Sequence, residues 1–419
     1  MNPQSLPARL LLCALVLSAA QTAWCAPPVS AAPVSGFSAE RLQRLDHFMQ
    51  QQVSEQHKAG VVVLLWRHGR VAYEKAYGVA DLASRAPMRT DEIFRLFSMT
   101  KPITSVALLT LYEQGKFQLT DPLETYVPAF KNVKVFAGLD ADGHMILKEP
   151  ARKITIQDVM RHTAGFTYGY FGDTPVDRAY RAAGLDYAKL DSVKELTEKL
   201  AGMPLLFSPG EHWEYSFAHD VQAYLVEYFS GMPFDVYCQR TIFGPLGMKD
   251  SAFGIPPGRA GRYPTLYAPQ PDGTLKPLYG SDDGYERATA HPFGGIGASS
   301  TPADYLRFAR MLLNGGELDG VRILGRKTVE LMTSDNLPHD TPTWQEGIRY
   351  GLGVSVLTGP AQAGNLGSVG DYGWSGYATT WFVVDPKEDL IALLFAQYTP
   401  KDGHFVDEFQ TLVYQALVK

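Results

Sequence analysis

The sequence has few cysteines and no cluster of basic residues, and each of these absences excludes a class of protein. Cysteine occupies three of 419 positions, Cys13, Cys25 and Cys238. The first two fall in an N-terminal segment that we expect to be removed, so the mature chain has no pair for a disulfide. We expect Cys238 to be a small, buried apolar residue. A net charge of −6 without a basic patch gives no sign of a nucleic-acid partner.

The N-terminal apolar run is too short to span a bilayer as a mature helix. It covers residues 10–20, follows Arg9 and is followed by small residues. This arrangement is typical of a secretory signal peptide. We therefore predict a signal peptide over residues 1–26, cleaved between residues 20 and 26, with a periplasmic or secreted product and no stable membrane insertion. An uncleaved anchor is the alternative.

The most informative stretch begins at Ser98. Residues 103–114 are apolar at nearly every position, and a helix that is apolar on all sides belongs in the interior. Pro102 is tolerated only in a first turn, so Ser98 lies at the N-terminal end, where Lys101 shares its helix face. A serine, an amine and the free N–H groups of the first turn are the parts needed for acyl transfer. The alternative is an ordinary helix start, with Ser98 as its cap and Lys101 in solvent.

Ser98 needs a base, and the sequence offers two. Lys101 can serve if burial or nearby positive charge lowers its pKa. Tyr215, on a loop just before a predicted helix, can serve if neighbouring cations lower the pKa of its phenol. The glycine-flanked residues 373–377 directly precede a predicted strand at 379–384, whose edge can offer a backbone N–H to a substrate oxygen. With the N–H of Ser98, that group would form an oxyanion hole.

The remaining polar candidates have structural interpretations. We expect His162 to be structural and Asp220 to cap the helix that follows Tyr215. His212 and His219 bracket Tyr215 with a spacing unlike that of metal pairs, so we expect no metal and no cofactor. The chain contains no Gly-x-Ser-x-Gly motif, which argues against an α/β-hydrolase.

The order of predicted elements indicates two lobes. Strands at both ends of the chain predict one antiparallel sheet built from both termini and flanked by helices, formed by residues 27–110 and 296–419, while residues 111–295 form a mostly helical lobe. A long irregular stretch, residues 255–300, is typical of a wall or lid over a site. We predict helices at 39–56, 98–114, 154–162, 187–201, 220–230, 234–242, 302–313, 325–334 and 406–418, and strands at 60–66, 71–77, 350–357, 379–384 and 390–397.

Three motifs in this order resemble those of the serine β-lactamase and penicillin-binding-protein superfamily. They are residues 98–101, 215–216 and 374–376, and the similarity runs over residues 39–397, nearest to the class C-like esterases known as family VIII carboxylesterases. The resemblance implies a β-lactamase/transpeptidase-like α/β (α+β) fold. It also implies that Ser98 is acylated, that Lys101 and Tyr215 share the proton transfers, and that the Tyr377 N–H joins the Ser98 N–H in the oxyanion hole.

Two departures from the β-lactamase pattern favour an esterase. Phe217 stands where an asparagine is expected, and Trp374 stands where a lysine is expected, so contacts to a substrate amide and carboxylate are lost. We expect Phe217, Trp374, Ser375 and Gly376 to bind an apolar small-molecule ester. A β-lactamase or D-alanyl peptidase and a non-catalytic binding protein are the alternatives. Four tyrosines of the irregular stretch either line an acyl pocket or pack the loop: Tyr263, Tyr267, Tyr279 and Tyr285.

Overall fold

The structure is a computed structural model that describes residue 1 and residues 35–255, 258–278 and 291–419. The predicted signal peptide after Met1, with Cys13 and Cys25, lies outside the described residues, as do Tyr279 and Tyr285. Within the described part of the chain, no helix combines the length and the apolar character that crossing a bilayer requires. Cys238 is buried, as predicted.

The sheet prediction is confirmed: strands from both ends of the chain form one seven-stranded antiparallel sheet. Its order is β12-β13-β14-β15-β16-β1-β2, so the last strand of the chain pairs with the first, with Val61 opposite Ala396. The hairpin of β1 and β2 turns at His68 and Gly69, as expected from the sequence. The strands of the described residues are β1 (Gly60–Arg67), β2 (Arg70–Gly78), β3 (Phe94–Arg95), β4 (Val135–Leu139), β5 (Met145–Lys148), β6 (Ala252–Phe253), β7 (Tyr267–Pro269), β8 (Leu275–Pro277), β9 (Ala298–Ser300), β10 (Glu317–Leu318), β11 (Val321–Arg322), β12 (Ile348–Tyr350), β13 (Ser355–Leu357), β14 (Tyr372–Ser375), β15 (Thr380–Asp385) and β16 (Leu390–Ala396).

Helices cover both faces of this sheet, which is why β1 and β16 are buried along their whole length. The first and last helices, α1 and α11, pack together on one face, and α2, α8 and the helical lobe share a larger core on the other. The helices of the described residues are α1 (Ala39–Ser54), α2 (Thr100–Glu113), α3 (Ile156–Met160), α4 (Pro175–Ala182), α5 (Val193–Ala201), α6 (Ala218–Ser230), α7 (Phe234–Cys238), α8 (Pro302–Leu313), α9 (Arg326–Met332), α10 (Pro360–Ala363) and α11 (Gly403–Tyr414).

Two predicted elements are divided in the structure. The helix expected over 187–201 is a short 3₁₀ turn, Tyr187–Lys189, followed by α5, because the side chain of Ser192 caps a new helix by accepting the N–H of Glu195. The strand expected over 350–357 is a hairpin of β12 and β13. Its turn contains Gly353 at φ +96°, a conformation that L-residues with side chains rarely adopt.

Candidate active site

Ser98 lies in a 3₁₀ turn, Phe97–Met99, that leads directly into the buried helix α2. The preceding residue, Phe97, has φ +47°, which is unfavourable for a bulky side chain and persists only where packing enforces it. Its ring packs against Tyr377, with the ring centroids 6.0 Å apart. The predicted position of Ser98 at the start of this helix is therefore close to the observed one.

Lys101 is fully buried one turn further along. Its Nζ lies 3.1 Å from Ser98 Oγ and donates a hydrogen bond to the carbonyl oxygen of Gly295 at 2.9 Å. Burial lowers the pKa of this ammonium, and the nearby carboxylate of Asp220 opposes that shift. A lysine with a lowered pKa can be neutral and accept a proton near physiological pH.

Tyr215 approaches Ser98 from the helical lobe. Its hydroxyl donates a hydrogen bond to Ser98 Oγ at 2.6 Å. His162 holds both neighbours of this tyrosine, because its carbonyl accepts the Glu214 N–H at 2.9 Å and its Nδ1 lies 3.0 Å from Ser216 Oγ. Burial raises the pKa of the Tyr215 phenol, which the hydrogen bond to Ser98 only partly offsets. His162 therefore positions the tyrosine, in agreement with the structural role expected for it.

Asp220 does not cap a helix, and that prediction is wrong. Helix α6 begins at Ala218, with Phe217 in the N-cap position, so Asp220 falls inside the first turn and is fully buried. Its carboxylate accepts the N–H of Gly295 at 3.0 Å and the hydroxyl of Tyr187 at 2.8 Å. The backbone of Gly295 thus connects Asp220, which accepts its N–H, to Lys101, which donates to its carbonyl. The available signal was an acidic residue on an apolar helix, which needs a partner when buried.

The loop that carries Gly295 is fixed to the nucleophile helix at two further points. Thr104 donates to the carbonyl of Gly294 at 2.7 Å, and Thr100 accepts the N–H of Ala298 at 3.0 Å. A Cβ on Gly295 would lie 2.5 Å from the Tyr187 hydroxyl, so the close approach requires glycine. These hydrogen bonds join the loop to helix α2, and together the two segments fix the position of Lys101.

The end of β14 forms the other side of the site. Only Tyr372 and Gly373 of this strand pair with β13, so Trp374 and Ser375 are free on that side. The strand presses closely on the nucleophile turn, because a Cβ on Gly376 would lie 2.2 Å from the carbonyl oxygen of Leu96. Beyond it, the described residues offer no acceptor for the amide N–H of Tyr377.

Ser98 opens into a cavity of about 1100 Å³ that is lined mainly by aromatic side chains. Trp374, Ser375 and Gly376, three of the four residues expected to bind the substrate, lie on its wall, and so does Tyr377. Phe217 does not, because it is fully buried behind Tyr168 and Tyr187. Sequence reasoning did not identify the rest of the aromatic wall, which consists of Phe97, Tyr168, Tyr170, Phe171, Tyr187 and Trp344.

The tyrosines of the irregular stretch pack the loop instead of lining the cavity, as far as they are described. Tyr263 lies 2.7 Å from Ser299 Oγ and donates to the carbonyl of Gly254 at 3.2 Å. Tyr267 is buried and its hydroxyl contacts Asp81. Neither belongs to the cavity wall.

One group in the described residues brings several metal-type ligands together, and it is remote from this site. Asp140, Asp142 and His144 lie in the exposed turn between β4 and β5. The carboxylate of Asp140 already accepts the N–H groups of the other two residues, at 2.9 and 2.8 Å. The hydrogen bonds of the hairpin turn therefore explain why these three side chains lie close together.

The sequence model of the Beta-lactamase family matches residues 45–415. The chain is a member of the beta-lactamase family. Within this family it is 34% identical to Protein Rv1367c of Mycobacterium tuberculosis over 356 residues, 82% of this chain and 86% of the relative. It is 31% identical to the esterase EstB of Burkholderia gladioli over 363 residues, 81% of this chain and 86% of that protein.

A solved structure of the same fold is that of EstCE1, described as a hydrolase with promiscuous acyltransferase activity. It superposes with a TM-score of 0.77 at 26% identity and covers 89% of this chain and 98% of its own. The resemblance to the esterase branch of the beta-lactamase family is confirmed by EstB and this structure.

Proposed function

We propose that this protein is a serine hydrolase that cleaves carboxylic esters through an acyl-enzyme on Ser98. The observation that carries the proposal is the meeting of two proton-transferring groups at one hydroxyl. Tyr215 and Lys101 lie 2.6 and 3.1 Å from Ser98 Oγ, at the base of an aromatic cavity. This constellation is that of an activated nucleophile.

The pKa directions support a division of roles between the two groups. Lys101, with its lowered pKa, takes the proton of Ser98 as the oxygen attacks the ester carbonyl. The N–H groups of Ser98 and Tyr377 stabilise the tetrahedral oxyanion. Tyr215, which burial keeps protonated, donates a proton to the leaving alkoxide and is reprotonated from Lys101. A water molecule then attacks the acyl-enzyme by the same route in reverse.

The cavity favours an ester over a β-lactam or a D-alanyl peptide. Phe217 offers no group to a substrate amide, and Trp374 places an apolar indole on the strand beside the nucleophile. The wall accommodates an apolar acyl or alcohol group. The relative EstB is an esterase by name, which agrees with this preference.

The test is to compare hydrolysis of p-nitrophenyl butyrate with that of a chromogenic cephalosporin, in the wild type and in Ser98→Ala. We expect the ester to be cleaved faster by orders of magnitude, and Ser98→Ala to abolish its hydrolysis. The exposed Ser54→Ala variant is the matched control and should retain the wild-type rate. Faster cephalosporin turnover would overturn the proposal in favour of a β-lactamase. Absence of turnover of both substrates would favour a binding protein.

We further propose that the protein is exported to the periplasm or secreted. The support is the charged start, apolar run and small residues of the first 26 positions. The intact mass of the protein recovered from an expressing bacterium tests this. A chain that begins between residues 21 and 27 supports export, and a full-length cytoplasmic chain contradicts it.

A further inference from the structure

Lys401 brings a positive charge to the cavity wall from a segment remote in sequence from the three motifs. It lines the same cavity as Ser98, together with Pro400, Gly376 and Tyr377. It also lies on the wall of the smaller cleft behind Trp374. Lys401 is exposed.

The backbone around Lys401 is hydrogen-bonded to the turn that follows β14. Thr379 is the link, because its Oγ1 donates to the carbonyl of Tyr398 at 2.8 Å and accepts the N–H of Asp402 at 3.1 Å. A backbone hydrogen bond of 3.1 Å from the Tyr398 N–H to the carbonyl of Ala378 adds to this connection. These hydrogen bonds fix the backbone of Lys401 relative to the turn that contains Tyr377.

The charge of Lys401 is not neutralised by the described residues. Its sequence neighbour Asp402 is paired with Lys58 at 2.8 Å. The surrounding cavity wall desolvates the ammonium of Lys401 and lowers its pKa although the residue is exposed, and the charge of Asp407 acts in the opposite direction. No carboxylate of the described residues forms an ion pair with Lys401. The other charged residue on the cavity wall, Asp186, has Lys189 at 3.7 Å.

An unpaired cation beside a reaction centre is an anchoring point for an anionic group of a substrate. We propose that Lys401 binds a carboxylate of the substrate, so that this enzyme prefers esters that carry a free carboxylate over neutral esters of the same size. The inference rests on the proposed esterase function and deepens it. It also revises the sequence argument from Trp374, because the cation missing from the third motif is supplied by the segment after β16.

The test compares substrate pairs that differ in one charge. In the first pair, the p-nitrophenyl monoester of glutaric acid carries a carboxylate on the acyl group, and p-nitrophenyl butyrate lacks it. In the second pair, 4-butyryloxybenzoate carries a carboxylate on the alcohol group, and its methyl ester lacks the charge. We expect the wild type to show a higher kcat/KM for the acid of at least one pair, through a lower KM. The pair that shows the preference identifies whether Lys401 contacts the acyl group or the alcohol group of the substrate.

Lys401→Met should reduce this preference by about tenfold, as expected for the loss of one charge-assisted hydrogen bond. Lys401→Arg should retain part of it. Lys116→Met, which removes an exposed lysine outside the cavity, is the matched control and should keep the full preference. High salt should weaken the preference of the wild type.

The result that overturns the inference is a wild type that cleaves the neutral esters and shows no charge preference in either pair, or a preference that Lys401→Met leaves intact. Failure of the proposed function is a different result, because the wild type would then cleave none of the four esters.

Discussion

At the scale of single residues, Ser98 Oγ lies between two groups whose pKa values are shifted in opposite directions. Burial lowers the pKa of Lys101 and raises that of Tyr215. The amine is therefore the group that can be unprotonated near neutral pH, and the phenol is the group that can donate. The same burial produces both roles, since it disfavours whichever form is charged.

Removal of either group tests this division of roles. Lys101→Met and Tyr215→Phe should each lower kcat by about 10²–10⁴-fold, the usual contribution of positioned acid–base groups. Tyr228→Phe, on the exposed side of α6, is the control and should behave as the wild type. A Tyr215→Phe enzyme with near-normal kcat would assign both proton transfers to Lys101.

At the scale of elements, the site is assembled by α2, the first turn of α6 and the Gly294–Gly297 loop. Asp220 and Lys101 lie on different helices and are bridged by the backbone N–H and carbonyl of Gly295. The negative charge of Asp220 favours the ammonium form of Lys101 and so limits the fall of its pKa. Asp220 is a positioning residue in this account, because it acts on Ser98 only through the lysine.

Asp220→Asn tests this connection by the pH dependence of kcat/KM. Without the negative charge of Asp220, the ammonium form of Lys101 loses its electrostatic stabilisation, so the pKa of Lys101 falls further. Activity is lost at low pH as Lys101 becomes protonated, and this acid limb of the profile should therefore move to lower pH. Glu214→Gln is the control, because burial raises the pKa of Glu214 to about 7 while this residue is not among the groups that shift Lys101. An acid limb that stays in place in Asp220→Asn, or moves in Glu214→Gln, would contradict the account.

The sequence predicted those elements whose causes are local. Helix α2 follows from its dense apolar run with Pro102 in the first turn, and the hairpin of β1 and β2 follows from His68-Gly69 between two β-rich segments. The partner of Asp220 was not predictable, because Gly295 lies 75 positions away. Phe217 was assigned to the cavity from the motif alone, yet the turn at the start of α6 directs it into the core.

At the scale of the whole molecule, residues 36–37 meet the C-terminal residues beside the sheet. The N–H of Val418 donates to the carbonyl of Gly36 at 2.9 Å, and Phe37 bridges to Leu417. A sheet that combines N-terminal and C-terminal strands was predictable because β-rich segments occur at both ends of the sequence. The position of Lys401 on the cavity wall was not, because it depends on how the segment after β16 attaches to Thr379.

The same sheet contains a pair of buried acids that links stability to pH. Asp371, before β14, and Asp385, at the end of β15, both contact the hydroxyl of Tyr414 on α11. Burial and the neighbouring Asp385 raise the pKa of Asp371 from 3.8 to about 8. The folded state therefore keeps a proton that the unfolded chain loses above about pH 4, so this group makes folding less favourable as the pH rises from about 4 to about 8.

Asp371→Asn, which imitates the protonated carboxyl, should remove this dependence. Relative to the wild type, the variant should gain up to about 4 kcal/mol in free energy of unfolding between pH 5 and pH 8. Urea unfolding at the two pH values measures this, with the exposed Asp142→Asn as control. Parallel changes in the wild type and Asp371→Asn would contradict the assignment.

The most direct test of the central claim is the mass of the protein caught during turnover. The enzyme should be mixed with excess p-nitrophenyl butyrate, quenched in acid within the first turnovers and analysed by intact-mass and peptide mass spectrometry. The account predicts one added butyryl group, located on Ser98 and absent from Ser98→Ala. Rapid ester hydrolysis with the acyl group on another residue, or continued hydrolysis by Ser98→Ala, would contradict it.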